Sequence, residues 1–182
     1  MKITGILLAA LCVMAGCREN CKEKIARLYK ANRHALENER AVNKFTLRLS
    51  YVPASVLVHD KAADAPAQGD TAYYYFKLQV VCEEGDATGY ANKTALYYGL
   101  DSLFATAETQ PAASPVSVEP VITGNRKRFE YLLAFAKKDF ETSSPVRVVF
   151  FDRLFTNTKQ VFVFDRKKID EIETLQCYAN EA

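Results

Sequence analysis

Two hydrophobic periods divide the chain. Between Arg18 and Lys44, a stretch without Gly or Pro, Ile25, Leu28, Tyr29, Leu36 and Val42 fall near one helical face. That spacing predicts one amphipathic helix. From Phe45 the period becomes two: Phe45, Leu47, Leu49 and Tyr51 alternate with Thr46, Arg48 and Ser50, and Pro53 limits the run, the pattern of a half-buried strand. Ala72–Cys82 is a longer strand with Tyr74, Phe76, Leu78, Val80 and Cys82 on one face and Tyr73, Tyr75, Lys77, Gln79 and Val81 on the other. Arg128–Ala136 places Phe129, Tyr131, Leu133 and Phe135 together.

Between these runs the period is lost. His59–Thr71 is rich in Ala, Asp, Pro and Gly and reads as a loop, as does the polar Glu83–Lys93 with Gly85 and Gly89. Ala95–Tyr98 suits a strand broken at Gly99 and resumed at Leu103–Ala105, and the three prolines of Gln110–Pro120 predict an extended edge or a loop. Val146–Asp152 and Gln160–Asp165 read as antiparallel neighbours joined around Thr156-Asn157-Thr158. Asp165 then caps a short helix carrying Ile169, Ile172 and Leu175. Short strands separated by turn signals, with helices only at the ends, predict a mainly β fold. The expectation is an antiparallel β-sandwich of the immunoglobulin/transthyretin-like kind, with an N-terminal helix and a short C-terminal helix.

Adjacent aromatics in a strand point to opposite faces, so Tyr73/Tyr75 and Tyr74/Phe76 cannot share one core. One pair is expected outside it, exposed or covered by the N-terminal helix. Exposed aromatics are favoured at protein interfaces and sugar-binding faces, which makes Tyr97, Tyr98 and Phe104 the candidate partner-binding residues.

Charge changes the picture by exclusion. The net charge of +2 offers no basic excess to neutralise phosphates, so nucleic acid is not expected as a partner. The two histidines, His34 and His59, lie in no catalytic motif, and no glycine-rich loop leads from a strand into a helix. Asp152 and Asp165 flank the C-terminal hairpin and could form an acid/base pair, but Asp more commonly ends strands and caps turns. Glu83-Glu84-Gly85-Asp86 offers hard oxygen ligands without the alternating spacing of a calcium loop. No catalytic residue, metal or cofactor is therefore assigned.

The first residues carry a different signal. Lys2 precedes an apolar run, Ile6–Val13, closed by Met14-Ala15-Gly16-Cys17. The run is shorter than the roughly 20 residues that span a bilayer and has the layout of a secretory signal. The last four residues resemble the lipobox of bacterial lipoproteins, usually Leu-Ala-Gly-Cys, with Met14 in place of Leu. The resemblance implies that Cys17 takes a diacylglycerol and becomes the first residue of the mature chain. The alternative is an ordinary secretory signal that happens to precede Cys17. The expected organisation is a signal peptide over residues 1–16, the lipidated Cys and a helical spacer over 17–44, and one sandwich domain over 45–182. A straight helix over Arg18–Lys44 would reach roughly 40 Å. Cys21, Cys82 and Cys177 would then share an oxidising compartment. Cys82–Cys177 is the preferred pairing, and three unpaired thiols, with Cys82 a buried small hydrophobe, are the alternative.

The lipobox-led, aromatic, single-sandwich character resembles outer-membrane lipoproteins of Bacteroidetes. Asp70-Thr71-Ala72 and Asp101-Ser102-Leu103 match that group's Asp-Ser/Thr-apolar O-glycosylation signal. Arg18-Glu19-Asn20 is not the acidic run that marks its surface-exposed members, which implies a periplasm-facing protein. The layout is also similar to the transthyretin-like accessory lipoprotein of type VI secretion. That likeness implies a tether that binds an envelope protein complex and contacts the membrane through its lipid. The alternative is a lipoprotein that binds carbohydrate or another small ligand, with Tyr97 and Tyr98 as a stacking platform.

Overall fold

Segments of period two become strands because each has one face to bury and a backbone ladder to complete. The computed structural model describes residues 21–57, 72–85, 96–106, 112–140 and 144–175. In chain order these hold helices α1 (Cys21–Ala31) and α2 (Arg33–Leu36), strands β1 (Glu37–Val42) and β2 (Phe45–Val52), and helix α3 (Ala54–Leu57). Then come β3 (Tyr73–Cys82), β4 (Phe104–Ala105), β5 (Ser117–Val121), β6 (Arg128–Ala136), β7 (Val146–Asp152), β8 (Thr158–Phe164) and helix α4 (Arg166–Glu173). Among the described residues the strands form a five-stranded antiparallel sheet, β1-β2-β3-β6-β5, and a three-stranded one, β4-β7-β8. The expected sandwich with small helices is the fold.

Register carries the expected faces into one core. The rows Leu49–Leu78–Tyr131 and Tyr51–Phe76–Leu133 run across the large sheet. Val148 and Phe150 of β7, with Phe162 and Phe164 of β8, meet them from the small sheet, all fully buried. Phe76 and Phe164 bridge the two sheets with ring centroids 5.0 Å apart. Tyr74 and Phe76 are the buried pair, whereas Tyr73 and Tyr75 lie on the outer face, half-buried, with rings 6.5 Å apart. Burial of side chains of this size is worth about 1.5–3 kcal/mol each.

The expected helix over Arg18–Lys44 is corrected. Helix is observed from Cys21 to Ala31, about 16 Å of rise, and again over Arg33–Leu36, after which Glu37–Val42 is an edge strand. Asn32 interrupts the helix, its side-chain amide donating to the Leu28 carbonyl at 2.9 Å. Ile25 and Leu36 are buried in the core, so the helical segment is part of the domain. Glu37–Val42 is extended because its backbone completes the free edge of β2. Its inward side chains also tie it to β8: the Asn38 amide donates to the Val163 carbonyl at 2.8 Å and accepts from the Val163 N–H at 3.3 Å, and Arg40 donates to the Val161 carbonyl at 3.4 Å. Tertiary pairing of this kind overrides helix propensity.

α4 closes the end of the core. The Asp165 carboxylate accepts from the Lys167 N–H at 2.9 Å, the expected N-cap, and Ile169 and Ile172 are buried. Two core tyrosines anchor the helix: Tyr51 donates to Glu173, and Tyr74 donates to Asp170 at 3.0 Å. Lys137 pairs with Glu173 at 2.6 Å and sits over the Tyr74 ring.

Burial, then the hydrogen bond to Asp170, pushes the Tyr74 hydroxyl from its ordinary 10.0 up to about 12, and Tyr51 is raised by burial and Glu173. A phenol whose folded pKa is raised stabilises the fold fully below the unfolded pKa and loses that contribution as pH rises. Stability measured by urea unfolding should be level up to about pH 9 and fall between pH 10 and 12. Tyr74→Phe should reduce the fall, and an unchanged slope would contradict the assignment.

Candidate functional site

The two sides of the sandwich differ. Side chains of β1 tie it to β8 on one side, while on the other β5 and β4 are the facing edges. A 3-10 turn, Leu100–Leu103, lies there against β4, β5 and β7, with Leu100 and Leu103 buried. The preceding residues, Leu96–Gly99, form a turn where a strand was expected. Gly99 has φ +67°, a left-handed conformation that glycine adopts without strain, and it starts the 3-10 turn. Leu96 is buried, which leaves Tyr97 51% and Tyr98 75% exposed.

Opposite this turn is the β5–β6 hairpin. Pro120 lies in β5, and with no N–H to donate it suits the outer edge of a sheet. The hairpin loop is organised by side chains: Thr123 Oγ1 accepts from Asn125 N–H at 3.2 Å, and Asn125 Oδ1 accepts from Lys127 N–H at 2.9 Å. Gly124 supplies the positive φ of +69°. These bonds hold Ile122 outward, 89% exposed, beside the basic run Arg126-Lys127-Arg128.

Between hairpin and turn is a cleft of about 230 Å³, its walls including Tyr97, Ile122, Arg126, Arg128, Glu130 and Tyr131. Two polar groups on its lining residues lack a partner. The Tyr131 hydroxyl and Arg128 Nε are both buried without a hydrogen bond. Such groups are rare in folded proteins, because each is desolvated without compensation. Tyr131, 2% exposed, keeps its proton: burial first, then the proximity of Tyr97 and Asp152, raises its pKa well above the ordinary range. Glu130 is satisfied, accepting from Gln79 Nε2 at 3.1 Å and forming an ion pair with a terminal nitrogen of Arg128. The cleft thus combines an exposed ring, an apolar shelf and the unpaired Tyr131 hydroxyl, whereas Arg128 and Glu130 alternate with Tyr131 along β6 and turn their side chains to the outer face beside Gln79.

The structure separates the sequence-derived candidates. Tyr97 lines the cleft and Tyr98 is its exposed neighbour. Phe104 is in the core, stacked on Phe150 at 4.7 Å. Cys82 is a buried free thiol, with Sγ 2.9 Å from the Glu84 carbonyl oxygen, while Cys17 and Cys177 lie outside the described residues. Asp152 is buried and accepts from the N–H groups of Leu154, Phe155 and Thr156 at 2.9 Å each and from the Thr156 hydroxyl at 2.6 Å, so it builds the β7–β8 loop. Asp86 of the acidic loop is outside the described residues, and among those described no cluster of His, Cys, Asp and Glu could hold a metal. Ser102 donates to the Gly99 carbonyl at 2.7 Å and is exposed, whereas the other glycosylation-like Thr71 lies outside. No helix among the described residues is long and apolar enough to cross a membrane. Ile122, Arg128 and Tyr131 were not singled out from sequence. The signal for the first two was the apolar Val121-Ile122 run meeting a Gly-Asn turn and three consecutive cations; an unpaired hydroxyl leaves no sequence trace.

Comparison with protein-family models, curated proteins and solved structures finds no match for this chain.

Two substitutions separate structural from site polar groups. Asp152→Ala strands three backbone donors and should cost about 3 kcal/mol in urea unfolding. Tyr131→Phe removes a hydroxyl that has no partner and should leave stability unchanged or raise it by about 1 kcal/mol. A clear loss in Tyr131→Phe would mean that the hydroxyl is satisfied.

Proposed function

We propose that the protein is a lipid-anchored, non-catalytic binding module of a bacterial cell envelope. It is held at the outer membrane, facing the periplasm, by acyl chains on Cys17, and it presents the β4/β5 side of its sandwich to a partner. The observation that carries the binding role is the cleft, where the half-exposed Tyr97 and the outward Ile122 flank Tyr131, whose hydroxyl has no partner. Support for the anchor comes from Lys2, the short apolar run and Met14-Ala15-Gly16-Cys17. Two or more acyl chains give stable anchoring where a single chain does not. Support for a non-catalytic role comes from Asp152 and Asp165, whose carboxylates are engaged by backbone donors of their own loop and helix.

Two kinds of partner fit this reading. One is an envelope protein complex, with the sandwich as a tether of a secretion-type assembly. The other is a carbohydrate or small ligand, and the cleft favours it, since a concave site with an aromatic wall and a few placed polar groups is what such ligands require.

Cell fractionation tests the anchor: the wild-type chain should partition with membranes and Cys17→Ser should be released, whereas retention of the variant would refute lipidation. Crosslinking of membranes carrying the wild type or Ile122→Asp tests the binding face. Recovery of envelope components should fall several-fold in the variant, and equal recovery would move the binding face elsewhere.

A further inference from the structure

We infer that the helical end of the sandwich is a second membrane contact, whose exposed cations dock on anionic lipid headgroups so that the cleft points away from the bilayer. The inference rests on the lipid anchor proposed above and names the surface that the anchored domain turns to the membrane.

Position comes first. α1 begins at Cys21, four residues beyond Cys17. Four residues span at most about 14 Å, so acyl chains on Cys17 hold the start of α1 close to the headgroups. α1 is part of the domain, with Ile25 buried in the core, and α1 and α2 pack against α4. The Asp165 N–H donates to the Ala35 carbonyl at 3.2 Å, and Arg166 donates to the Phe140 carbonyl at 2.6 Å. The three helices and the 3-10 turn Lys137–Phe140 therefore form one end of the sandwich, and the anchor brings that end to the bilayer. β6 sets the direction of the rest. Its last residue, Ala136, leads into Lys137, which pairs with Glu173 of α4, while its first, Arg128, lines the cleft. The strand separates the two by roughly 27 Å.

Charge then decides how this end meets the membrane. Lys24, Arg27 and Lys30 follow one another at three-residue spacing on α1, all exposed, and Glu23 is the single acid of the helix. Lys138 and Lys167 are exposed at the same end. Lys24, Lys30, Lys138 and Lys167 have no ion pair among the described residues. Most acids there are taken: Asp165 accepts from the Lys167 N–H, Asp170 from Tyr74, Glu171 pairs with Lys168 at 2.8 Å and Glu173 with Lys137. Glu23 and Asp139 are left to oppose the four lysines. Each lysine near an anionic surface strengthens adsorption roughly fivefold, and the effect fades beyond a screening length of about 8–10 Å. The hairpin end also carries an exposed cation, Lys127, but it is held roughly 27 Å away, outside that range. The short reach of the anchor therefore selects the helical end.

The test is lysine acetylation of the full lipidated chain in vesicles, read residue by residue by mass spectrometry. One set of vesicles is phosphatidylcholine, the other an equal mixture of phosphatidylcholine and phosphatidylglycerol. Lys24, Lys30, Lys138 and Lys167 should react about fivefold more slowly on the anionic set, and Lys127 at the same rate on both. Salt at about 1 M, which shortens the screening length to about 3 Å, should remove the difference. Lys24→Glu combined with Lys30→Glu should abolish the protection of Lys138 and Lys167, and a thermal midpoint within a few degrees of wild type would show that this variant is folded. The inference is overturned if Lys24 and Lys30 react equally on both sets, if Lys127 is shielded as strongly, or if the double variant keeps the protection. Protection in native membranes but not on phosphatidylglycerol would assign this face to an acidic protein and overturn it as well. Should lipid protection fail while Cys17→Ser is released from membranes, the docking face is wrong and the anchor stands. If the wild-type chain does not partition with membranes, both readings fall.

Discussion

The rings of Phe76 and Phe164 meet across the gap between the two sheets at 5.0 Å, and the remaining elements are arranged to keep water from that contact. Phe135 and Phe140 pack edge-on or tilted against Phe76, and Tyr51 meets it from β2. Offset and edge-to-face geometry of this kind adds about 0.5–1.5 kcal/mol per pair to the area buried. Aromatics are wide, so sheets that share them leave gaps at their ends and margins. The helices and loops fill these.

One end is sealed with polar handles. The hydroxyls of Tyr51 and Tyr74 would be stranded at the edge of an apolar core, and α4 supplies carboxylates to both. The same helix buries Ile169 and Ile172, so one short element satisfies the phenols and covers the hydrocarbon. The β1 margin is sealed in another way: Asn38 presents amide N–H and C=O groups to the N–H and C=O of Val163, as a neighbouring strand would. An exposed strand edge is a template for unwanted pairing, and this contact occupies it.

The β4/β5 margin is left less complete, and the candidate site lies there. A 3-10 turn plugs the gap with Leu100 and Leu103 while leaving Tyr97 and Tyr98 outside. Tyr131 belongs to the core face of β6, like Leu133 and Phe135, but it carries a hydroxyl that is buried and finds no partner. Tyr51 and Tyr74 show what a structural tyrosine receives in this protein. Tyr131 is the exception, and this contrast sets the cleft apart from the rest of the surface.

Much of this architecture was legible in the chain. The alternation in β2, β3 and β6 placed Leu49, Phe76 and Leu133 on the buried face because a strand has a period of two and only one face of each sheet is dry. Asp165 announced a helix start because its carboxylate can accept one of the N–H groups left free in the first turn of a helix. Other features depended on distant partners. Glu37–Val42 carries helix-forming residues and became a strand because β2 offered an open edge and β8 offered backbone for Asn38. Phe104 and Tyr97 are equivalent in composition, but one stacks on Phe150 in the core and the other faces the cleft. The sequence by itself determined which faces were apolar, where helices could start and how the first residues resemble a lipobox, because those depend on neighbours along the chain. The tertiary structure alone decided which aromatics stayed exposed and which polar groups lacked a partner, because those depend on side chains far apart in the chain meeting, or failing to meet, in space.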